Sequence, residues 1–163
     1  MIPEQLELTP GMIRSLLAGL TPEQVVWKPA PDRFSIAEVL AHLAHTEHHA
    51  YAPKYEQFAA EGDSALEPYD TDAMVARGEY SRRDAVESLE GFESQRKENL
   101  TRLRGLKDRT LHHKKVGPIS LSNLLNECAY HDLGHVRQIA ELVRALKYHP
   151  NMGPYANFYK VNP

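Results

Sequence analysis

The chain closes with an amphipathic stretch, residues 121–146, whose inner stripe combines Leu124, Leu125, Cys128, Ile139, Leu142 and Val143 with two histidines. Ser120 stands where a helix N-cap is expected. His131 and His135 are four apart, which on a helix places them one turn apart on one face, with Cβ atoms roughly 5–6 Å from each other. They share an angular sector with Leu124, Cys128, Ile139 and Leu142, so this face meets the rest of the protein. An imidazole buried there without a partner is costly. The two rings therefore either hydrogen-bond in the core or hold a metal ion.

Three further amphipathic stretches are legible. Thr9-Pro10 reads as the start of the first helix, threonine as N-cap and proline at the first helical position, with Ile13, Leu16, Leu17 and Leu20 as its core stripe. Thr21-Pro22-Glu23-Gln24 starts a short helical turn, stopped by the prolines of Trp27-Lys28-Pro29-Ala30-Pro31. Ser35-Ile36-Ala37-Glu38 is a capping box that opens a second helix over 36–60. Ile36, Val39, Leu40, Leu43 and Glu47 mark its inner side, and Pro53 predicts a kink because it removes the bond to the His49 carbonyl. Residues 61–79 read as a long loop with one helical turn near 71–76. Ser81 and Asp84 cap a third helix that reaches Leu103, with Ala85, Leu89, Phe92 and Leu100 as core contacts. Residues 109–118 form a connector in which His112-His113-Lys114-Lys115 makes a short extended stretch. The aromatic tail over 152–161 is expected to fold back on the helices, since exposing its rings is unfavourable. Four helices without a convincing strand set predict one all-α domain over 1–163, an antiparallel bundle with at least one long connection.

Bulk properties exclude several functions. A formal net charge of −3 and a pI near 6.3, without a long Lys/Arg cluster, argue against a nucleic-acid partner. No apolar run is long enough to span a bilayer, and the N-terminus has neither the basic start nor the apolar core of a signal peptide. One cysteine excludes an internal disulfide and suits a reducing compartment. A cytoplasmic location is expected.

The nine histidines are the compositional oddity, and chance alone supplies about half a pair at four-residue spacing in such a set. His45 and His49 are a competing pair, set beside Thr46, His48 and Pro53 in a more polar stretch that suits solvated histidines. Catalytic metal sites commonly hold three protein ligands and leave one position open. A third ligand to His131 and His135 must come from another helix. His42 is the best placed, midway along the second helix, and its local setting equally allows a hydrogen bond on the helix flank.

The segments Trp27-x-Pro, Ser35-Ile36-Ala37-Glu38-Val39-Leu40-Ala41-His42-Leu43 and His131-x3-His135-Val136-Arg137-Gln138-Ile139 resemble the DinB-like, or YfiT-like, superfamily. So does the ending Gly153-Pro154-Tyr155…Phe158-Tyr159-Lys160-Val161-Asn162-Pro163. The resemblance covers nearly the whole chain as an order of helices. It implies a four-helix bundle of up-down-down-up arrangement, with a long connection between helices 2 and 3. It also implies a divalent metal (zinc, nickel, iron or manganese) held by three histidines, which by motif position are His42, His131 and His135. The activities it implies are transfer of low-molecular-weight thiols such as bacillithiol or mycothiol, or related metal-dependent hydrolysis of a small molecule. A homodimer is a further implication. The alternative is a metal-containing stress-response module that binds without turnover.

No residue is assigned a catalytic role from sequence. Glu47, Asp132 and Glu127 are candidates to orient imidazoles or act as a base, with structural roles as the plainer reading. Cys128, three residues before His131, is within reach of the site, though core placement is the ordinary fate of such a thiol. Tyr51 and Tyr130 are candidates for a pocket mouth, and Arg137 for a substrate carboxylate or a simple ion pair.

Overall fold

The computed structural model describes residues 2–60, 62, 64–70 and 79–161. Four long helical units dominate it: α1 (Glu4–Leu17), α3 (Ile36–Thr46) continuing through a π-helical turn (Glu47–Tyr51) into α4 (Ala52–Ala59), α5 (Ala85–Leu103) and α6 (Leu121–Val143). The short α2 (Pro22–Val26) lies between the first two. Contacts give their directions. Ala41 meets Tyr80, Glu47 meets Arg96 and Glu56 meets Arg102, so α3–α4 and α5 run parallel. Tyr51 meets Glu127 while His42 meets His131, so α3–α4 and α6 run antiparallel. Arg14 meets Glu93 and Glu7 meets Arg104, so α1 opposes α5. The result is an up-down-down-up bundle. Two parallel neighbours cannot be joined by a tight turn, which is why the chain needs the long connection from Ala60 to Asp84.

Local chemistry sets most of the boundaries. Thr21 and Ser35 each accept from the backbone N–H three residues on, and Gln24 and Glu38 reciprocate, so both capping boxes form. Asp84 accepts from the N–H groups of Val86 and Glu87 and is the cap of α5, whereas Ser81 sits in a single turn upstream. Ser120 caps α6 as expected. The α6 helix passes at Arg144 into a wide π-helical turn that extends to Tyr148. The expected turn near 71–76 lies outside the described residues.

The first helix begins earlier than its Thr9-Pro10 pair suggests. It starts at Glu4, with Glu4 and Glu7 in the first turn favouring the helix dipole, and Pro10 lies inside it. Thr9 is buried and donates its hydroxyl to the Gln5 carbonyl rather than capping anything. An interior proline strands the carbonyl four residues before it. Here that carbonyl belongs to Leu6, and the Arg96 guanidinium occupies it at 3.1 Å. The expected kink at Pro53 takes the form of the π-helical turn just before it, in which the Ala52 N–H reaches back to the Glu47 carbonyl. Such a turn inserts one residue into the helix and re-aims the segment beyond it.

Two apolar clusters form the core. One gathers Leu6, Tyr55, Phe58, Leu124, Leu125 and Cys128. The other gathers Ile13, Ile36, Val39, Leu43, Phe92, Ile139 and Leu142. A polar layer separates them. Arg96 Nε and Nη2 each donate at 2.9 Å to Glu47, and Nη1 and Nη2 donate to Asp132 at 2.6 and 3.1 Å. Asn99 Nδ2 adds a bond of 2.8 Å to Glu47 Oε1. All four side chains are buried.

The connector before α6 is a hairpin, β1 (Thr110–His113) paired antiparallel with β2 (Gly117–Ser120). Gly117, at φ +86°, supplies the left-handed residue that lets so short a loop close. Leu66 from the long connection bridges to His113, so the hairpin is pinned against the bundle. The aromatic tail departs from expectation. Residues Gly153–Phe158 form a 3₁₀ turn, but Tyr155, Phe158 and Tyr159 stay exposed. Pro150, just before this segment, and Pro154 within it each fix φ at their positions. No described helix is long and apolar enough to cross a membrane.

The buried guanidinium gives a direct test. Replacing Arg96 with Met strands two carboxylates in the core and is expected to cost about 3–5 kcal/mol in urea unfolding. Replacing Glu47 and Asp132 with Leu in the same chain should recover much of that loss. A single Arg96→Met variant as stable as the parent would show that the network contributes nothing.

Candidate metal centre

Three helical positions converge beneath the surface. His42 comes from the middle of α3, and His131 and His135 from successive turns of α6. The Nε2 atoms of His42 and His131 are 3.1 Å apart, and those of His131 and His135 are 3.2 Å apart. All three ring nitrogens lie within 4.8 Å of one another. A tetrahedral ion with metal–nitrogen bonds of 2.0–2.1 Å separates its nitrogens by about 3.3 Å, so the spacing fits a small divalent cation.

The far ring nitrogens explain why the near ones are free. His135 Nδ1–H donates to Gln138 Oε1 at 3.0 Å, which fixes the tautomer and leaves Nε2 as a bare lone pair. His42 Nδ1 lies 3.4 Å from the Tyr80 hydroxyl, and the two rings stand edge to face. Among the described residues His131 Nδ1 has no hydrogen-bond partner. Burial, then the neighbouring imidazoles of His135 and His131, lowers the His42 pKa from 6.5 to about 3. Burial and then His135 bring His131 to about 3 as well. Burial lowers His135 too, opposed by its bond to Gln138 and by the charge of Asp132. The cluster is therefore neutral near pH 7 and has more converging lone pairs than protons to share among them. A cation satisfies that arrangement, and imidazole ligation suits zinc, nickel or iron.

This trio forms part of the lining of a cavity of about 410 Å³ that opens to solvent. Tyr51 and Glu127 share the lining, and the Tyr51 hydroxyl donates to Glu127 Oε2 at 3.1 Å. Glu127, His131 and His135 succeed one another at four-residue steps along α6, which brings the carboxylate to the same chamber. Burial raises the Tyr51 pKa and keeps it a donor.

The other sequence candidates go elsewhere. Glu47 and Asp132 are consumed by Arg96 and touch no imidazole, so they hold the helices rather than the rings. Cys128 is fully buried with its sulfur 3.8 Å from Arg96 Nη2, and burial pushes its thiol pKa up, so it is an inert core residue. Tyr130 is 82% exposed on the outer face of α6 and Arg137 is exposed, neither lining the cavity. The rings of His45 and His49 lie with centroids 4.3 Å apart and tilted by 40° on a different cavity, shared with Arg83 and Glu87, and His48 there donates to Gln95. Sequence reading missed Gln138, three residues after His135 and so on the same face, and it missed Tyr80, which only tertiary structure brings to His42.

The lowered imidazole pKa values have a signed consequence. In the metal-free chain the unfolded state binds protons on His42 and His131 near pH 6.5, and the folded state only near pH 3. Their stability contribution is thus intact above about pH 6.5 and drains away as pH falls toward 3. Urea midpoints of the metal-free protein should fall across that window more steeply than those of His131→Leu. Parallel profiles would mean that the histidines are charged in the folded state.

The comparisons with known proteins bear on the fold and the family. No curated protein matches the sequence. Among solved structures, YfiT from Bacillus subtilis, described as a probable metal-dependent hydrolase with an unusual four-helix bundle topology, superposes with a TM-score of 0.75 at 24% identity. The match covers 87% of this chain and 83% of that one. The sequence profile of the DinB superfamily matches residues 5–139, a span that includes all three converging histidines. The chain belongs to the DinB superfamily.

Proposed function

We propose that this protein is a metal-dependent enzyme that joins a low-molecular-weight thiol to a small electrophile, with His42, His131 and His135 holding the cation. The observation that carries the reading is the convergence of three neutral imidazoles on the wall of an open chamber sized for a small molecule. Three neutral ligands would leave the full charge on a divalent ion, which would acidify a thiol or water bound there.

The chain's own groups do the rest. Glu127 accepts the thiol proton, and Tyr51 fixes the carboxylate that receives it. The sulfur then forms its bond to an electrophilic carbon while the leaving group departs with the electron pair of the broken bond. Glu127 returns the proton to that group. A bulk base is unnecessary because the carboxylate and the ring cluster face the same cavity. Hydrolysis is the second reading, with water in place of the thiol, and the description of YfiT as a probable metal-dependent hydrolase favours it.

Purified protein without a histidine tag is expected to carry one divalent metal per chain. His131→Ala and His135→Ala should each lose it while keeping the helical signal by circular dichroism, and His42→Ala should weaken it. Stoichiometric metal in both α6 variants would refute the site. Consumption of bacillithiol, mycothiol or glutathione with a generic electrophile, with and without added zinc, nickel or manganese, separates transfer from hydrolysis of an ester in the absence of thiol. Metal without turnover of either kind would mark a binding module. Glu127→Gln should lower turnover by roughly 10²–10⁴-fold with metal content unchanged.

A further inference from the structure

The chamber beside the three histidines has a second wall that the chemistry above does not use. Lys54 from α4, His113 from β1, Lys115 from the hairpin tip and Thr46 from the end of α3 all line it. Each offers a hydrogen-bond donor. His113 Nδ1 accepts the backbone N–H groups of Lys115 and Val116 at 3.2 and 3.3 Å, so a neutral His113 carries its proton on Nε2. Thr46 is 5% exposed, and its hydroxyl has no hydrogen-bond partner among the described residues. Lys54 is half-buried and, among the described residues, engaged in no ion pair. Burial lowers its pKa and Glu127 pulls it back up.

Partly buried ammonium groups and buried hydroxyls are costly without partners. Glu127 is the one carboxylate among the described lining residues, and it already accepts from Tyr51. A divalent cation on neutral imidazoles would make the chamber more positive still. We infer that this wall selects substrates bearing a carboxylate, which Lys54 and Lys115 neutralise and Thr46 and His113 hydrogen-bond. The inference rests on the reading of the cavity as a substrate site, and it narrows that substrate to a small carboxylate-bearing compound. The π-helical turn before Pro53 and the pinned hairpin acquire a role in consequence. The turn re-aims α4, which carries Lys54, and the hairpin brings Lys115 from the far side of the sequence.

Calorimetric titration of the full, zinc-loaded chain tests this with four probes: 3-mercaptopropionate, its uncharged amide, propionate and inorganic phosphate. The acid thiol should bind about tenfold more tightly than the amide. Lys54→Met should abolish that preference, Lys115→Met should reduce it, and Lys54→Arg should retain most of it, with zinc content unchanged throughout. A preference that survives in Lys54→Met would place the carboxylate on the metal alone and overturn the inference. Phosphate binding more tightly than propionate would overturn the choice of carboxylate. Equal binding of the two thiols would sink the wall and leave thiol transfer standing. Propionate binding that is lost in Lys54→Met, with no added affinity from either thiol group, would sink thiol transfer and leave the wall.

Discussion

A single guanidinium decides how the bundle closes. Arg96 projects from α5 into the centre of the molecule and bonds to the α3–α4 unit through Glu47, to α6 through Asp132 and to α1 through the Leu6 carbonyl. Every long helix is thereby referred to one point. Apolar packing alone tolerates sliding by a residue or a turn, since one leucine replaces another at small cost. Charged partners buried at fixed distances do not, because a shifted register leaves a carboxylate alone in the core. The two apolar clusters stabilise the fold, and the layer between them sets its register.

That register matters because the three-histidine cluster spans the same helices. Asp132 adjoins His131 in sequence, and Glu47 comes after His42 by little more than one helical turn. Fixing Glu47 and Asp132 on one guanidinium therefore fixes the spacing of α3 and α6 where the imidazoles must meet. A displacement of even 1 Å between those helices would move the three nitrogens out of common reach. The network also carries one negative charge in excess, since two carboxylates share one cation. A divalent ion held by the three imidazoles would offset that excess.

Much of this was legible in residue order. Capping boxes at Thr21 and Ser35 and the N-cap at Ser120 are short-range chemistry and form as expected. The inner stripe of α3, from Ile36 to Glu47, is buried as its periodicity predicts. His42, His131 and His135 meet in space although eighty-nine residues separate the first two. The failures share one cause, which is that long-range partners rewrite local signals. Thr9-Pro10 looks like a helix start until Arg96 takes the carbonyl that Pro10 strands. Arg96 and Asn99 carry no local signal of burial, and only the fold brings Glu47 to them from another helix. The aromatic tail was misread in the opposite sense, for ring content predicts burial only where a groove of matching shape exists.

The division of labour in the chamber arises from the same geography. One wall comes from the middle of two long helices, where the fold is most rigid, and it carries the groups that must be placed to a fraction of an ångström. The other takes its ammonium groups from a hairpin tip and from a helix re-aimed by a π-helical turn, with Thr46 from the end of α3, and small variation in the position of those ammonium groups matters less. Lysine ammonium groups on flexible stems act as point charges and tolerate such variation. Chemistry that depends on exact nitrogen positions therefore resides on the helices referred to Arg96. Recognition that depends mainly on charge would rest on Lys54 of α4 and Lys115 of the hairpin.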